Sequence, residues 1–512
     1  MTAPTSSSES AGVPAPFTGA DAELQAADAL TGDDVGGKVV RGGAVRVAGI
    51  VAQNLFVALG AVILLRYLGV DDFGRFGTVM ALISIVQGVT DAGLTVTGTR
   101  ELALRGSDGA RRELLAHILS LRVLLTAIGV VFAVGFAVVA GYDEAMVVGT
   151  AVAGVAALLL NVQGAFLLPM VVELRNGTIA LNEVLRQFFN VVGWTLAALA
   201  GASLGWFFGA QVLAGLAMLA LVPVLIGRRY LVRPGWTNEQ MRGLVTVGLP
   251  VAISTVLVVV YFKVLVIIVS LLSTETETGL FATSARVFDM TTMLPLTFAV
   301  LILPVLTVAH RDDPARLRYV LQQLTQAMVV VGVGVAIAVA VLAEPVLLIL
   351  GGSEYEGAAP ILRIQCIALA TLFVGSAWNP TLIAMGRQLW VAAASGIGLV
   401  AIVVLGALLV PSRDAEGAAI AAAIADSLLL VSLYVLLRRA GPGRDVRLGF
   451  ALKVVPLAAA ALIVGLAVGL PPIVGAVLAM ALYAVGAYVL GLIPDEVVHE
   501  VRRRIPLGSK TH

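Results

Sequence analysis

The chain has a single cysteine, Cys366, and only four histidines among its 512 residues. One cysteine cannot form an intrachain disulfide, and the scattered histidines give no cluster with metal-ligand spacing. Walker A, HExxH, GxSxG and aspartate-rich diphosphate motifs are also missing. These absences disfavour ATP-driven pumps and metal-dependent transferases. We therefore expect a protein that is not an enzyme, with no cofactor, no metal and no nucleic-acid partner.

Charge is scarce as well, because only 13% of the residues are charged, whereas 59% are hydrophobic and the mean hydropathy is +1.00. Globular proteins have about 25% charged residues, so this composition predicts an all-α polytopic integral membrane protein. Fourteen apolar segments are long enough to cross a hydrocarbon core of about 30 Å. They cover approximately 47–65, 76–95, 118–140, 145–168, 178–200, 204–226, 247–272, 281–308, 325–350, 358–384, 389–410, 417–437, 450–468 and 473–492.

The charges outside these segments differ between the two sides of the membrane. Most of the 33 lysines and arginines fall in alternate loops, and lysine and arginine gather on the cytoplasmic side of membranes. This pattern predicts that both termini are cytoplasmic. The turns on the other side are short and acidic, as at Asp143 and Glu144. They leave no room for the catalytic extracellular loop of lipid-linked sugar polymerases and ligases.

An internal repeat predicts two related halves. Gly74 and Phe76 in the first helix pair correspond to Gly279 and Phe281 at the start of a second set of six segments. Two sets of six leave the last two segments as an appended pair. The predicted organisation is a disordered cytoplasmic tail at 1–40, an N-terminal six-helix bundle at 41–226, a cytoplasmic linker at 227–246, a C-terminal six-helix bundle at 247–440, an extra helix pair at 441–492 and a basic cytoplasmic tail at 493–512.

Lys263 lies in the middle of the apolar segment 247–272. A lysine at that depth costs about 2.5 to 3.5 kcal/mol unless it meets a partner, water or a ligand. It either neutralises a buried carboxylate, extends toward the membrane surface, or lines a cavity that receives an anion.

Other polar residues inside the spans lie on single helix faces. Ser84, Gln87, Asp91 and Thr95 share one face of the second segment. The residues that we expect to line a substrate cavity are Arg46, Asn54, Gln87, Asp91, Arg122, Lys263, Ser270 and Arg286. Arg286 and Asp289, three residues apart, are also a candidate structural ion pair. Asp91 either pairs with Lys263 or Arg122, or titrates and couples transport to protons.

Three stretches carry a family resemblance. They are RYLGVDDFGRFGTVMALISIVQGVTDAGLTVTGTRELA, AEPVLLILGGSEYEGAAPILRIQCIALATLF and GLFATSARVFDMTTMLPLTFAVLILPVLT. The chain resembles, over about 40–492, the polysaccharide-type flippases of the multidrug/oligosaccharidyl-lipid/polysaccharide exporter superfamily. The resemblance implies two six-helix bundles around a pseudo-twofold axis, a helix pair appended to them, and a cavity lined by basic residues.

The resemblance also implies an activity. Such flippases move undecaprenyl-diphosphate-linked oligosaccharides across the bacterial plasma membrane by alternating access, for cell-surface polysaccharide or lipopolysaccharide. The implied partners are the lipid-linked oligosaccharide and the bilayer, while polysaccharide assembly enzymes and coupling to protons or sodium stay open. The alternatives are a peptidoglycan-precursor flippase and a cation-coupled multidrug exporter of the same fold. A membrane-embedded enzyme or scaffold is disfavoured because no catalytic constellation is present.

Overall fold

The computed structural model describes residues 33–91, 93–467 and 470–493, which form fourteen α-helices and no strand. The helices are α1 Asp33–Asp91, α2 Leu94–Leu104, α3 Asp108–Val139, α4 Glu144–Val172, α5 Asn176–Leu199, α6 Leu204–Leu225, α7 Asn238–Leu272, α8 Glu275–Asp312, α9 Pro314–Val341, α10 Ala343–Leu350, α11 Ala358–Ala384, α12 Gln388–Ala440, α13 Ala451–Gly465 and α14 Pro472–Val489. Most of the two predicted tails, at 1–32 and 494–512, lies outside the described residues. Helix α1 begins at Asp33, ahead of the predicted boundary at residue 41.

The membrane-spanning segments follow the hydropathy pattern. Helix α1 contains two spans that meet at Gly69, whose φ is 71°, and α12 contains two that meet at Asp414, whose φ is 47°. A positive φ breaks the regular helix at both points. With α1 and α12 counted twice, and the short α2 and α10 left out, fourteen segments match those predicted. Ten helices of the described chain are long and apolar enough to cross a membrane, so the polytopic fold is confirmed.

The spans form two bundles of six, the N-lobe (α1 to α6) and the C-lobe (α7 to α12). The appended pair α13 and α14 packs against α9 of the C-lobe. There the hydroxyl of Tyr483 donates to the carbonyl of Val330 at 2.9 Å, and the Gln326 amide donates to the carbonyl of Leu492 at 2.9 Å. Each bond pairs polar groups that would find no hydrogen-bond partner in lipid.

The two lobes meet at Gly74 and Gly279, the residues that the internal repeat pairs. A Cβ on Gly74 would lie 2.6 Å from the carbonyl oxygen of Glu275 and 2.8 Å from the nitrogen of Gly279. The absence of side chains lets the two helix backbones touch. The hydroxyl of Thr276 donates to Asp71 across the same contact at 2.7 Å. We call this end of the molecule the acidic end.

Arg75 joins both lobes at the acidic end. Its guanidinium lies 3.1 Å from Asp72, 3.5 Å from Asp143 and 2.8 Å from Glu275. Asp72 and Asp143 belong to the N-lobe and its α3–α4 turn, whereas Glu275 begins α8 of the C-lobe. A cation shared by three carboxylates therefore ties the lobes together at this end.

The opposite end, which we call the basic end, holds the connection between the lobes, which runs from the end of α6 at Leu225 to the start of α7 at Asn238. The Gly235 amide donates to the carbonyl of Ala116 at 3.2 Å, and the His117 ring contacts the Thr237 hydroxyl at 2.5 Å. Tyr230 donates to Glu173, and burial, together with this bond, raises the pKa of Tyr230. The phenol thus stays protonated and keeps donating, which fixes the connection on the N-lobe.

Candidate functional site: a polar cavity between the lobes

A polar cavity of about 240 Å³ lies where the two lobes face each other. Helices α1, α4, α5 and α6 of the N-lobe line it on one side, and α7 and α8 of the C-lobe line it on the other. Phe73 and Phe76 bound it next to the Gly74 contact at the acidic end. The cavity therefore lies at mid-depth, among helices that are otherwise apolar.

The C-lobe side of the cavity carries two cations and one carboxylate. Lys263 of α7 and Asp289 of α8 form an ion pair with 2.6 Å between Nζ and Oδ2. Both side chains keep solvent contact, with exposed fractions of 28% and 35%. Lys263 therefore lines the cavity and neutralises a carboxylate at once, which combines two of the interpretations that its sequence position left open.

Arg286 is half-buried in the cavity wall, one turn before Asp289. In the part of the chain that the structure describes, no carboxylate lies within 4.0 Å of its guanidinium and no side chain accepts a hydrogen bond from it. Arg286 and Asp289 are therefore not in direct contact, because Lys263 from the neighbouring helix binds the carboxylate, although the charge of Asp289 still acts on Arg286 from a longer distance. Arg286 is left as a cation available to a ligand.

The N-lobe side of the cavity is rich in amides. Gln87 of α1 lines it as predicted, together with Gln187 and Asn190 of α5. All three are half-buried and have no side-chain hydrogen-bond partner among the described residues. Gln211 of α6 also lines the cavity and reaches only the sulfur of Met80, at 3.4 Å. A sulfur is a weak acceptor, so four amides can exchange hydrogen bonds with a ligand.

Arg186 is the one arginine that lines the cavity from the N-lobe, among the described residues. It forms an ion pair with Glu183 on its own helix, with 2.5 Å between Nη2 and Oε2. This pair cancels its charge at short range. The N-lobe side is therefore polar without a net charge.

Asp91 and Arg122 lie outside the cavity, in a network that joins α1, α3 and α4. Nη2 of Arg122 lies 2.6 Å from both Asp91 and Thr95, and Nη1 donates to the carbonyl of Asn161. Arg122 is 3% exposed and Asp91 is 45% exposed. The pairing is one of the two options that the sequence left for Asp91, and it fastens the end of α1 to α3. Neither residue faces the cavity, contrary to the expectation.

The remaining predicted cavity residues are spread over the molecule. The hydroxyl of Ser270 bonds that of Tyr142 at 2.6 Å, near the acidic end and away from the cavity. Asn54 is half-buried on α1, and it is not part of the cavity wall. The side chain of Arg46 lies outside the described residues. Of the eight predicted residues, Gln87, Lys263 and Arg286 are those that the structure brings together.

Sequence reasoning missed Gln163 and Gln211, and it left Arg186, Gln187 and Asn190 without an assigned cavity role. Gln163 is buried and donates to the Asn182 side chain at 2.7 Å. Gln163 and Gln211 are lone polar residues on the long apolar helices α4 and α6. That isolation was the available signal, because a lone amide in a span must find a polar environment.

A second cavity, of about 290 Å³, lies inside the C-lobe and is lined mostly by apolar side chains. The hydroxyl of Tyr261 donates to the buried carboxyl of Asp426 there, at 2.5 Å. This bond gives the Asp426 carboxyl, in an alanine-rich part of α12, a partner inside the C-lobe.

The helical lobes, the appended pair and the polar cavity between the lobes define a multi-pass helical membrane protein. The chain belongs to the polysaccharide biosynthesis protein family, whose model matches residues 63–360. The resemblance drawn from the three sequence stretches is confirmed. No curated protein matches the chain.

Solved structures share the fold at low identity. The lipid II flippase MurJ, in an inward closed conformation, matches with a TM-score of 0.72 and 12% identity, over 87% of this chain and 98% of that chain. An inward-facing multidrug resistance MATE family transporter matches with a TM-score of 0.62 and 14% identity, over 76% of this chain and 94% of that chain. The eukaryotic MATE transporter AtDTX14 matches with a TM-score of 0.56 and 14% identity, over 79% of this chain and 96% of that chain. The likeness concerns the fold.

Proposed function

We propose that the protein is a flippase for undecaprenyl-diphosphate-linked oligosaccharides in the bacterial plasma membrane, acting in the synthesis of cell-surface polysaccharide. The observation that carries the proposal is Arg286, a cation with no carboxylate in contact with it among the described residues, in a cavity otherwise rich in amides. A diphosphate needs such a cation at mid-membrane. The sugars attached to it need hydrogen-bonding groups, which the amides provide.

The energetics favour an anionic ligand at Arg286. An arginine in the middle of a span costs about 2.5 to 3.5 kcal/mol on insertion scales, and a cavity with water or a ligand relieves that cost. Attraction between opposite charges is several-fold stronger at the low dielectric of such a site than in bulk water. An unpaired arginine there is best explained by a substrate that brings its own negative charge.

The cavity argues against a cation-coupled multidrug exporter. A cationic drug calls for unpaired carboxylates, whereas Asp289, the acidic residue of the cavity wall among the described residues, is already bound to Lys263. With Arg186 held by Glu183, one positive charge is left in the cavity. Charge complementarity therefore selects anions over cations.

We infer that transport proceeds by alternating access. Lysine and arginine gather on the cytoplasmic side of membranes, and this tendency supports a cytoplasmic basic end and an acidic end that faces outward. The contacts of Arg75, Gly74 and Thr276 close the acidic end, which supports entry of the substrate from the cytoplasmic side. Release of the substrate then requires these contacts to break. Which ion drives transport is left open.

The test is a clean deletion complemented with wild-type protein, an Arg286→Gln variant or an Arg413→Gln variant. Arg413 is an exposed arginine outside the cavity and serves as the matched control. Undecaprenyl-linked intermediates and surface polysaccharide are then analysed. We expect the deletion and Arg286→Gln to accumulate a lipid-linked oligosaccharide and to lose its polymer, while Arg413→Gln restores both.

Other outcomes would replace the proposal. Accumulation of the peptidoglycan precursor, with failure of wall synthesis, would assign the protein to that pathway. Unchanged glycans with increased sensitivity to cationic drugs would assign it to drug export.

A further inference from the structure

The polar cavity has two chemically different walls. Among the described residues, the unbalanced charge is on the C-lobe wall, where Arg286 stands beside the pair of Lys263 and Asp289. The N-lobe wall offers amides, and its one arginine is neutralised by Glu183. The division follows the helices, since α7 and α8 carry the charges and α1, α5 and α6 carry the free amides.

The two walls suit different parts of one ligand. A guanidinium prefers phosphate oxygens, which it binds with two parallel N–H donors. A primary amide offers both donors and an acceptor, and a sugar hydroxyl is likewise both donor and acceptor. A carboxylate on a sugar would find donors among the amides but no free cation, and the carbonyl oxygens would repel it. The N-lobe wall therefore suits an uncharged sugar, because it offers an acidic sugar no unpaired cation among the described residues.

We propose that Gln87, Gln187, Asn190 and Gln211 form a subsite for the uncharged sugar nearest the lipid, while Arg286 of the C-lobe holds the diphosphate. This inference rests on the proposed function, and it adds the orientation of the headgroup and the class of its first sugar. The substrate thus bridges the two lobes, with its anionic part on the C-lobe and its sugar on the N-lobe.

The experiment measures binding of three synthetic probes to the full-length protein in lipid nanodiscs. The probes are farnesyl diphosphate, farnesyl diphosphate carrying N-acetylglucosamine, and farnesyl diphosphate carrying glucuronic acid. The proteins are wild type, Gln187→Leu, Gln211→Leu, Arg286→Gln and, as matched control, Gln388→Leu. Gln388 is an exposed glutamine at the start of α12, outside the cavity. Thermal unfolding of each variant reports whether its fold is intact.

We expect Gln187→Leu and Gln211→Leu to weaken binding of the N-acetylglucosamine probe by about three- to tenfold each, the loss that a neutral hydrogen bond accounts for. Their affinity for farnesyl diphosphate should not change. Arg286→Gln should weaken all three probes by a common factor, because all carry the diphosphate. Wild-type protein should bind the glucuronic acid probe more weakly than the N-acetylglucosamine probe.

Two results would overturn the subsite while leaving the proposed function intact. One is an equal loss of sugar-bearing and sugar-free probes in the glutamine variants, and the other is tighter binding of the glucuronic acid probe in wild type. Failure of the proposed function gives a different pattern, in which wild-type protein binds no diphosphate probe, or Arg286→Gln binds all of them as wild type does.

Discussion

Replacing Gly74 by alanine tests whether the close backbone contact at the acidic end keeps the transporter shut. The added Cβ would lie 2.6 Å from the carbonyl oxygen of Glu275 and 2.8 Å from the nitrogen of Gly279. Both neighbours are backbone atoms of α8, so no side chain can rotate away. The overlap can be relieved only if the two lobes move apart at this end.

The size of the effect can be bounded. Inserting a methyl group into a close-packed contact costs about 1 to 3 kcal/mol, here in the closed state alone. Alanine also favours a helix over glycine by about 0.5 to 1 kcal/mol, but this gain acts equally in both conformations and cancels from their ratio. The ratio of outward-open to closed molecules should therefore rise by about 5- to 150-fold.

The assay labels a single cysteine in the cavity from outside the cell. Cys366 is the one native cysteine, and it is replaced by alanine so that a cysteine at Ser84, in the cavity wall, is unique. A membrane-impermeant maleimide reaches that position from outside only when the acidic end opens, so the labelling rate reports the open population. Gly135→Ala is the matched control, because a Cβ at Gly135 would meet nothing within 4 Å.

We expect Gly74→Ala to accelerate labelling within the stated range, and Gly135→Ala to label as the parent does. If both variants label at the parent rate while remaining folded, the Gly74 contact does not hold the acidic end shut.

Two further predictions concern charge. Asp91→Ala should lower the melting temperature of the purified protein more than Arg122→Met does. Asp91→Ala leaves a guanidinium that is 3% exposed without its carboxylate, whereas Arg122→Met leaves a carboxylate that is 45% exposed. Equal shifts in melting temperature would contradict this prediction. Asp289→Asn frees Lys263 and should tighten binding of farnesyl diphosphate by about three- to tenfold, an effect that shrinks with added salt. Unchanged or weaker binding would show that Lys263 does not face the ligand.

The fold could be predicted because its causes lie in single segments. Span length and loop charge depend on local composition, so fourteen spans followed from hydropathy alone. The repeat also paired Gly74 with Gly279, and the structure brings these two equivalent residues into contact between the lobes.

The site could be predicted only in part, because it depends on how helices rotate against one another. The spacing of Arg286 and Asp289 favoured a pair within α8, yet Lys263 from α7 lies closer to the carboxylate. Likewise, a lone glutamine such as Gln211 indicates a polar environment without saying which one. Distances between helices decide these questions, and they are not a property of any single segment.

In the proposed function, Arg286 serves the movement of a diphosphate-linked glycan across the membrane. The most direct measurement is flipping in vesicles that contain only the purified protein and a fluorescent undecaprenyl-diphosphate-linked oligosaccharide, with an impermeant reagent reporting the outer leaflet. The proposal predicts that wild-type protein equilibrates the lipid between leaflets and that Arg286→Gln does so at least tenfold more slowly, with Arg413→Gln as the control. Equal rates for Arg286→Gln and wild type, or no movement by wild type, would contradict it.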